Sequence, residues 1–368
     1  MTYNNKIRVL VIDDSLVFDK FLCEELPKAN DNIEVVGYSM NPYDALAKMP
    51  ALKPDVITLD VEMPGINGID FLKELLPKHL LPVILVSSLN VNVFDALSNG
   101  AVDFVKKPDM SRNYTTQLFV QNLCSKILIA SRARVRLPAS MQPAQAAATA
   151  LSASGLPTPG ISAPAQDSVM RPFSLRANNT IIAIGASTGG TEATLEIMKE
   201  LPSDIPGIVI TQHMPEGFTK MYAERLNRLC RMEVREARNG DTLRPGLALI
   251  SPGGDLQTKV VRVGSQYSVK CYPAEKVNGH RPSVDVLFHS TAVSAGSSAV
   301  GIILTGMGQD GAEGLLHMRR AGAYTIGQDR DSCVVYGMPM VAYRMGGVTT
   351  QAPCQSIADI LVNHLKKL

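Results

Sequence analysis

The sequence has no C-x-x-C pair. Its six cysteines, Cys23, Cys124, Cys230, Cys271, Cys333 and Cys354, are scattered through 368 residues. This spacing excludes a zinc-ribbon or disulfide-scaffold reading and fits reduced thiols in a cytosol. A long basic run is also missing, and the formal net charge is only +2. That argues against a chain that works on nucleic acid, and no recognition helix is legible. No apolar run approaches the length of a membrane span, and the opening stretch MTYNNKIRVLVIDDS lacks the apolar core of a secretory signal. The expectation is a cytoplasmic protein that neither binds nucleic acid nor inserts into a membrane.

What is present is enough for two domains. The length allows two sizeable cores, and a hydrophobic fraction of 45% is ordinary for globular proteins. Between Arg132 and Asn178 the composition turns to Ala, Pro, Ser and Gln, as in MQPAQAAATALSASGLPTPGISAPAQ. Such a stretch reads as a semi-extended, disordered linker, with a local helix through AQAAATALSA as the alternative. The predicted organisation is a first domain over 1–131, a linker over 132–178 and a second domain over 179–368.

The first domain alternates strand-like runs with amphipathic ones. IRVLVI, IEVVGYS, DVITLD, PVILVSS and VDFVKK are strand candidates, with helices such as GIDFLKELL between them. Five β–α units predict a flavodoxin-like doubly wound α/β sheet with its chemistry at the C-terminal strand ends. Asp13 and Asp14 follow the first strand, Asp60 the third, Ser87 ends the fourth and Lys107 follows the fifth. Three converging carboxylates repel one another, and a hard divalent cation such as Mg²⁺ relieves that. A hydroxyl and an ammonium beside them suit a phosphoryl group received on Asp60. Taken singly, paired aspartates can be helix caps and a Lys-Pro can be only a turn. Five such residues at successive strand ends make a coincidence hard to sustain.

In the second domain, IGASTGG (184–190) sits between an apolar run, TIIAI, and a helical one, TEATLEIMKEL. Gly185-x-Ser187-x-Gly189 fits a nucleophile elbow, an anion cradle at a helix start, or a bare tight turn. A nucleophilic serine needs a base and an orienting acid. His213, after VITQ, and Asp310, after VGIILTGMGQ, each follow a separate strand, so all three can meet at one sheet edge. His289 and His317 fall on predicted helices, His280 in a loop at a possible substrate rim, Asp285 on a helix face and Asp255 in a turn. Asp329 and Asp331 remain competing acids by spacing. The order Ser, His, Asp differs from the Ser, Asp, His of ordinary α/β hydrolases. LQTKVVRVGSQYSVKCYP reads as an antiparallel hairpin on its period-two patterning.

On VIDDS, LDVEMPGINGIDFL, VSS and FVKKP, residues 6–131 resemble a response-regulator receiver domain. That resemblance implies Asp60 as phosphoacceptor and Asp13, Asp14 and the Glu62 backbone carbonyl as Mg²⁺ ligands beside it. It further implies Ser87 as switch hydroxyl, Lys107 as phosphate partner, Phe104 as an aromatic rotamer switch and a histidine kinase as phosphodonor. On IGASTGG, QHMP, SPGG, HRPSVDVLF and LTGMGQDG, residues 179–368 are similar to the catalytic domain of chemotaxis protein-glutamate methylesterases. That family implies a modified doubly wound sheet with a small hairpin and needs no cofactor for the esterase. Ser187 would be the nucleophile, His213 general base and acid, and Asp310 the orienter. Thr188 would be a neighbouring hydroxyl and the Met307 amide an oxyanion donor. The implied substrates are methylated chemoreceptor cytoplasmic domains, with glutamine deamidation by the same route. Gly279 and Gln309 stand where the family often has a charged residue and Asn. A binding-only output module and a nucleotide-binding regulator are the competing readings. The second lacks a full G-x-G-x-x-G and the paired acid.

Overall fold

The computed structural model describes residues 6–63, 68–87, 92–108, 113–138, 141 and 173–368. Most of the expected linker, with its alternative helix, therefore lies outside the described residues.

The apolar runs of the first domain become β1 (Ile7–Ile12), β2 (Ile33–Ser39), β3 (Val56–Leu59), β4 (Val83–Ser87) and β5 (Asp103–Lys106). The amphipathic stretches become α1 (Leu16–Ala29), α2 (Pro42–Leu52), α3 (Gly68–Leu75), α4 (Asn92–Ser98) and α5 (Asn113–Ala130). All five strand readings hold. The sheet is parallel in the order β2-β1-β3-β4-β5. Helices cover both faces, so β3 and β4 are buried along their whole length. The strand order reverses between β1 and β3, and a crevice opens there at the C-terminal ends.

The last residues of the stretch read as linker are ordered: the short helix α6 (Leu175–Asn178), capped by Ser174 and fully burying Ala177, precedes the second sheet. Then come β6 (Ile181–Ala186), α7 (Gly190–Glu200), β7 (Ile208–Gln212), α8 (Phe218–Leu229), β8 (Glu233–Glu236) and β9 (Leu247–Ile250). The hairpin follows as β10 (Leu256–Val263) and β11 (Gln266–Pro273), on the residues its patterning predicts. The chain closes with α9 (Val284–Ala295), β12 (Ala299–Ile303), α10 (Ala312–Arg320), β13 (Tyr324–Gln328), α11 (Met338–Arg344), β14 (Thr350–Ala352) and α12 (Cys354–Leu365).

Seven parallel strands run β14-β13-β12-β6-β7-β9-β8. The chain enters at β6, builds outward through β7 to β9 and β8, then crosses back to lay β12 on the other side of β6. The switch point lies between β6 and β12, where this architecture opens its ligand crevice. Gly185 is required there: a Cβ at that position would stand 2.1 Å from Val284 Cγ1. The sheet's central strands β6, β7 and β12 are buried throughout.

Candidate functional site

Ser187 follows β6 directly, and Gly189, at φ 77°, caps α7 in a left-handed conformation open chiefly to glycine. The chain turns sharply and leaves Ser187 half-buried at the crevice. Its N–H donates to the Thr305 carbonyl at 3.0 Å, tying the turn to the segment after β12. Gly306 lies so close that a Cβ there would meet Ser187 Cβ at 2.6 Å. His213 follows β7, whose Gln212 pairs with Ala186, so the two side chains leave neighbouring strand ends. The His213 N–H donates to the Ala186 carbonyl at 3.1 Å, and the Gln212 amide to the Ser187 carbonyl at 2.9 Å.

Asp310 reaches the same place from the far side of the switch point. Its Oδ2 lies 2.7 Å from His213 Nε2. The carboxylate also accepts from Ser283 Oγ at 2.7 Å, the Val284 N–H at 2.7 Å, the Asp285 N–H at 3.2 Å and Asn278 Nδ2 at 3.1 Å. Two of these donors belong to the first turn of α9, an end that favours negative charge. Burial alone would raise the Asp310 pKa, but the bonds from His213, Ser283 and Val284 hold it far below the carboxylate range. An ionised carboxylate only accepts, so Nε2 carries the proton. The lone pair of neutral His213 is then on Nδ1, which is buried without a hydrogen-bond partner among the described residues. That nitrogen is free to take a proton. Ser187 Oγ forms no hydrogen bond to it in this structure, a looseness common in unliganded sites.

The competing acids go elsewhere. Asp329 holds the Ser332 N–H and hydroxyl, and Asp331 pairs with Arg134 at 2.9 Å. His289 and His317 pack on each other across α9 and α10. His280 is not an isolated rim residue, because its ring stacks on His213 with centroids 3.6 Å apart and planes 6° from parallel. Burial, then the neighbouring His213, pushes its pKa down to about 4, so it is neutral at pH 7. Thr188 is buried and donates its hydroxyl to Asp103 Oδ2 at 2.5 Å. Met307 is exposed, and its amide donates to no acceptor among the described residues.

The receiver crevice gathers Asp13, Asp14 and Asp60, whose ligand oxygens lie within 4.8 Å of one another. The first two are not the helix cap; Ser15 is, accepting from the Phe18 N–H. Lys107 Nζ stands 2.7 Å from Asp13 Oδ2 and 2.6 Å from Asp60 Oδ2. Burial alone would lower its pKa, but the two carboxylates raise it, so it stays charged. One ammonium against three carboxylates leaves an excess of negative charge. Oxygen donors with that excess fit a hard divalent cation. Burial raises Asp13 despite Lys107, which adds to the case for a further cation. The Glu62 N–H donates to Asp60 Oδ1 at 3.1 Å. The Ser87 hydroxyl is buried with no hydrogen-bond partner among the described residues.

Two residues here escape a motif reading. Asp19 is fully buried with both carboxyl oxygens unpartnered, and burial, then Asp13, pushes it up to about 7. Its position in register with Leu22 and Leu26 on the buried stripe of α1 was the available signal. Asp103, on β5, is gripped by Lys126 at 2.6 Å and by Thr188 of the second unit. No local pattern announces a contact 85 residues away. Around it, Phe104 packs on Phe218 at 4.5 Å and Phe94 on Tyr222 at 5.7 Å. The Arg225 guanidinium meets both Ser98 and Glu192, and the Arg134 N–H donates to the Val334 carbonyl at 2.9 Å.

Fold and site together define a class: a receiver domain joined to a doubly wound hydrolase domain with serine, histidine and aspartate at its switch point. The CheB methylesterase family matches residues 182–361, and the response regulator receiver domain family matches residues 9–118. The chain is 49% identical over 363 residues, 99% of each chain, to the protein-glutamate methylesterase/protein-glutamine glutaminase 2 of Syntrophomonas wolfei. It is 47% identical, over 98% of each chain, to the protein-glutamate methylesterase/protein-glutamine glutaminase of Syntrophotalea carbinolica. The crystal structure of the Thermotoga maritima CheB methylesterase catalytic domain is 34% identical, spanning 50% of this chain and 98% of that one, with a TM-score of 0.49. The chain belongs to the CheB protein-glutamate methylesterase/protein-glutamine glutaminase family. No helix among the described residues is long and apolar enough to cross a membrane.

Proposed function

We propose that this chain hydrolyses glutamate γ-methyl esters on chemoreceptor cytoplasmic domains in the cytoplasm. Ser187 acts as nucleophile, His213 as base and acid, and Asp310 as orienter. The observation that carries this is the 2.7 Å His213–Asp310 bond beside Ser187 at the switch point, which leaves Nδ1 as the free base. Nδ1 takes the Ser187 proton as Oγ bonds to the ester carbonyl carbon. The Met307 amide is the donor available to the developing oxyanion. As the tetrahedral intermediate collapses, the carbon–methoxy bond breaks and Nδ1 returns the proton, releasing methanol. Water, activated in the same way, cleaves the acyl-serine to glutamate. A glutamine side chain follows the same path with ammonia leaving, and an amide depends still more on protonation by His213.

The receiver reading is that Asp60 accepts a phosphoryl group from a chemotaxis histidine kinase. Asp13, Asp14, Asp60 and the Glu62 carbonyl would hold Mg²⁺, which supplies charge neutralisation there. Lys107 faces the incoming oxygens, and the buried Ser87 hydroxyl at the end of β4, unpartnered among the described residues, serves as the switch hydroxyl. Phe104, pinned against Phe218, and Asp103, which holds the hydroxyl next to Ser187, support a receiver that restrains the esterase until phosphorylated.

Incubation of the wild-type chain with a methylated receptor cytoplasmic domain tests the substrate. Methanol should appear mole for mole with the loss of receptor ester, read by mass spectrometry. Ester loss without methanol, or no loss from methylated receptor with or without phosphodonor, overturns the reading.

A further inference from the structure

The segment between the hairpin and α9 makes a second, tighter turn. Val277 and His280 exchange backbone hydrogen bonds at 3.0 and 2.9 Å, enclosing only Asn278 and Gly279. Both enclosed residues have positive φ, 53° and 80°. Positive φ at both central positions is the requirement of a type I′ turn, which Asn-Gly meets best. Asparagine is also among the few side chains that tolerate the left-handed region.

The conformation aims two side chains at the same pair. Asn278 Nδ2 donates to Asp310 Oδ1 at 3.1 Å and to Asp285 Oδ2 at 2.6 Å. Oδ1 is the Asp310 oxygen that His213 does not use. Asp285 is itself buried, and its other oxygen takes the Gly314 N–H at 2.7 Å. The amide therefore stands between two buried carboxyl groups that would otherwise face each other unbridged. Two residues on, the His280 ring lies flat on His213.

We propose that the Asn278–Gly279 turn is a clamp on the His213–Asp310 pair and that Asn278 is a positioning residue. Its amide joins the Ser283 hydroxyl and the Asp285 N–H on Oδ1 in fixing the rotation of the Asp310 carboxylate, so that Oδ2 points at Nε2 and Nδ1 keeps its lone pair. His280 limits the imidazole to one plane from the other side. The inference rests on the proposed esterase reading and adds to it a residue outside the triad.

Two variants test it in the full chain, with methanol release from methylated receptor as the assay. Asn278→Gly keeps the positive φ and deletes the amide. It should lower kcat about 10- to 100-fold, the scale of a small misplacement near the reacting atoms, with KM within about twofold. Asn278→Asp keeps the shape but replaces the donor with a third carboxylate. More negative charge beside the pair favours protonated His213. The acid limb of the kcat/KM profile should therefore move to higher pH. Wild-type kcat in Asn278→Gly overturns the clamp, whatever the acid limb of Asn278→Asp does. Ser187→Ala, run alongside, separates the two failures. If it is inactive while the Asn278 variants behave as wild type, only the clamp is wrong. If it is fully active, the esterase assignment itself is wrong.

Discussion

Ser187→Ala stops methanol release while the chain remains folded. Loss of a triad nucleophile typically costs on the order of 10⁶ in rate. The fold should survive because the hydroxyl bears no structural load: Ser187 is only half-buried and its Oγ has no partner among the described residues. The bond that matters to the turn, from its N–H to the Thr305 carbonyl, is untouched by the substitution. An unchanged thermal melt with no detectable methanol is the expected pair of results. Methanol release near the wild-type rate would remove Ser187 from the mechanism.

Asp310→Asn should cost about 10⁴ in rate, for a different reason. The carboxylate accepts from five donors, and Asp310 is buried. An amide keeps one acceptor oxygen and gains an N–H₂ group. Ser283, Asn278 and the Asp285 N–H converge on Oδ1, so the oxygen goes there and the N–H₂ meets Nε2. His213 must then accept at Nε2 and carry its proton on Nδ1, leaving no lone pair to take the Ser187 proton. The tautomer is wrong even though the geometry is retained. The Val284 N–H also loses its acceptor, so some stability should go with the rate, on the scale of about 1–3 kcal/mol for a buried group left unpaired. Methanol assays and melts on Asp310→Asn, Asp329→Asn and Asp331→Asn decide it. If either of the latter two is the damaging change, the wrong acid has been assigned.

Strands β3, β4, β6, β7 and β12 were legible because parallel strands buried on two faces read as unbroken apolar runs, whereas β8 (EVRE) and β14 (TQA), at the edges of the second sheet, carry no such run. The hairpin was legible from the period-two patterning of its sequence, although its burial does not alternate strictly: Gln257 and Thr258 are both buried, as are Ser268 and Val269. The strand ends located Asp13, Asp60, Ser187 and His213, because in this architecture chain position at a strand end is also spatial position. Proximity of Asp310 to His213 was legible only as one of three acids, since the deciding facts are the α9 amides and Ser283. His280 read as a loop residue because stacking on His213 depends on a turn that brings back a ring from 67 residues further along the chain. Asp103 and Phe218 left no trace in sequence, because contacts between units obey no local period. Asn278 did leave one, the Asn-Gly pair, but that pair speaks to turn type and not to what its amide touches.

Restraint of Ser187 by the receiver is the claim that joins the two halves, and one comparison tests it most directly. Initial rates of methanol release from methylated receptor are measured for the full chain and for residues 173–368, each with Mg²⁺ and with or without acetyl phosphate. The fragment begins at Phe173 so as to keep α6, whose Ala177 is fully buried. The Thr188–Asp103 bond and the Phe104–Phe218 contact predict a fragment faster than the unphosphorylated chain. A coupling of about 1–3 kcal/mol makes that roughly 5- to 150-fold. Acetyl phosphate should accelerate only the full chain, and Asp60→Asn should abolish that acceleration. A fragment no faster than the unphosphorylated chain would contradict restraint and leave the receiver to act by recruitment or direct activation.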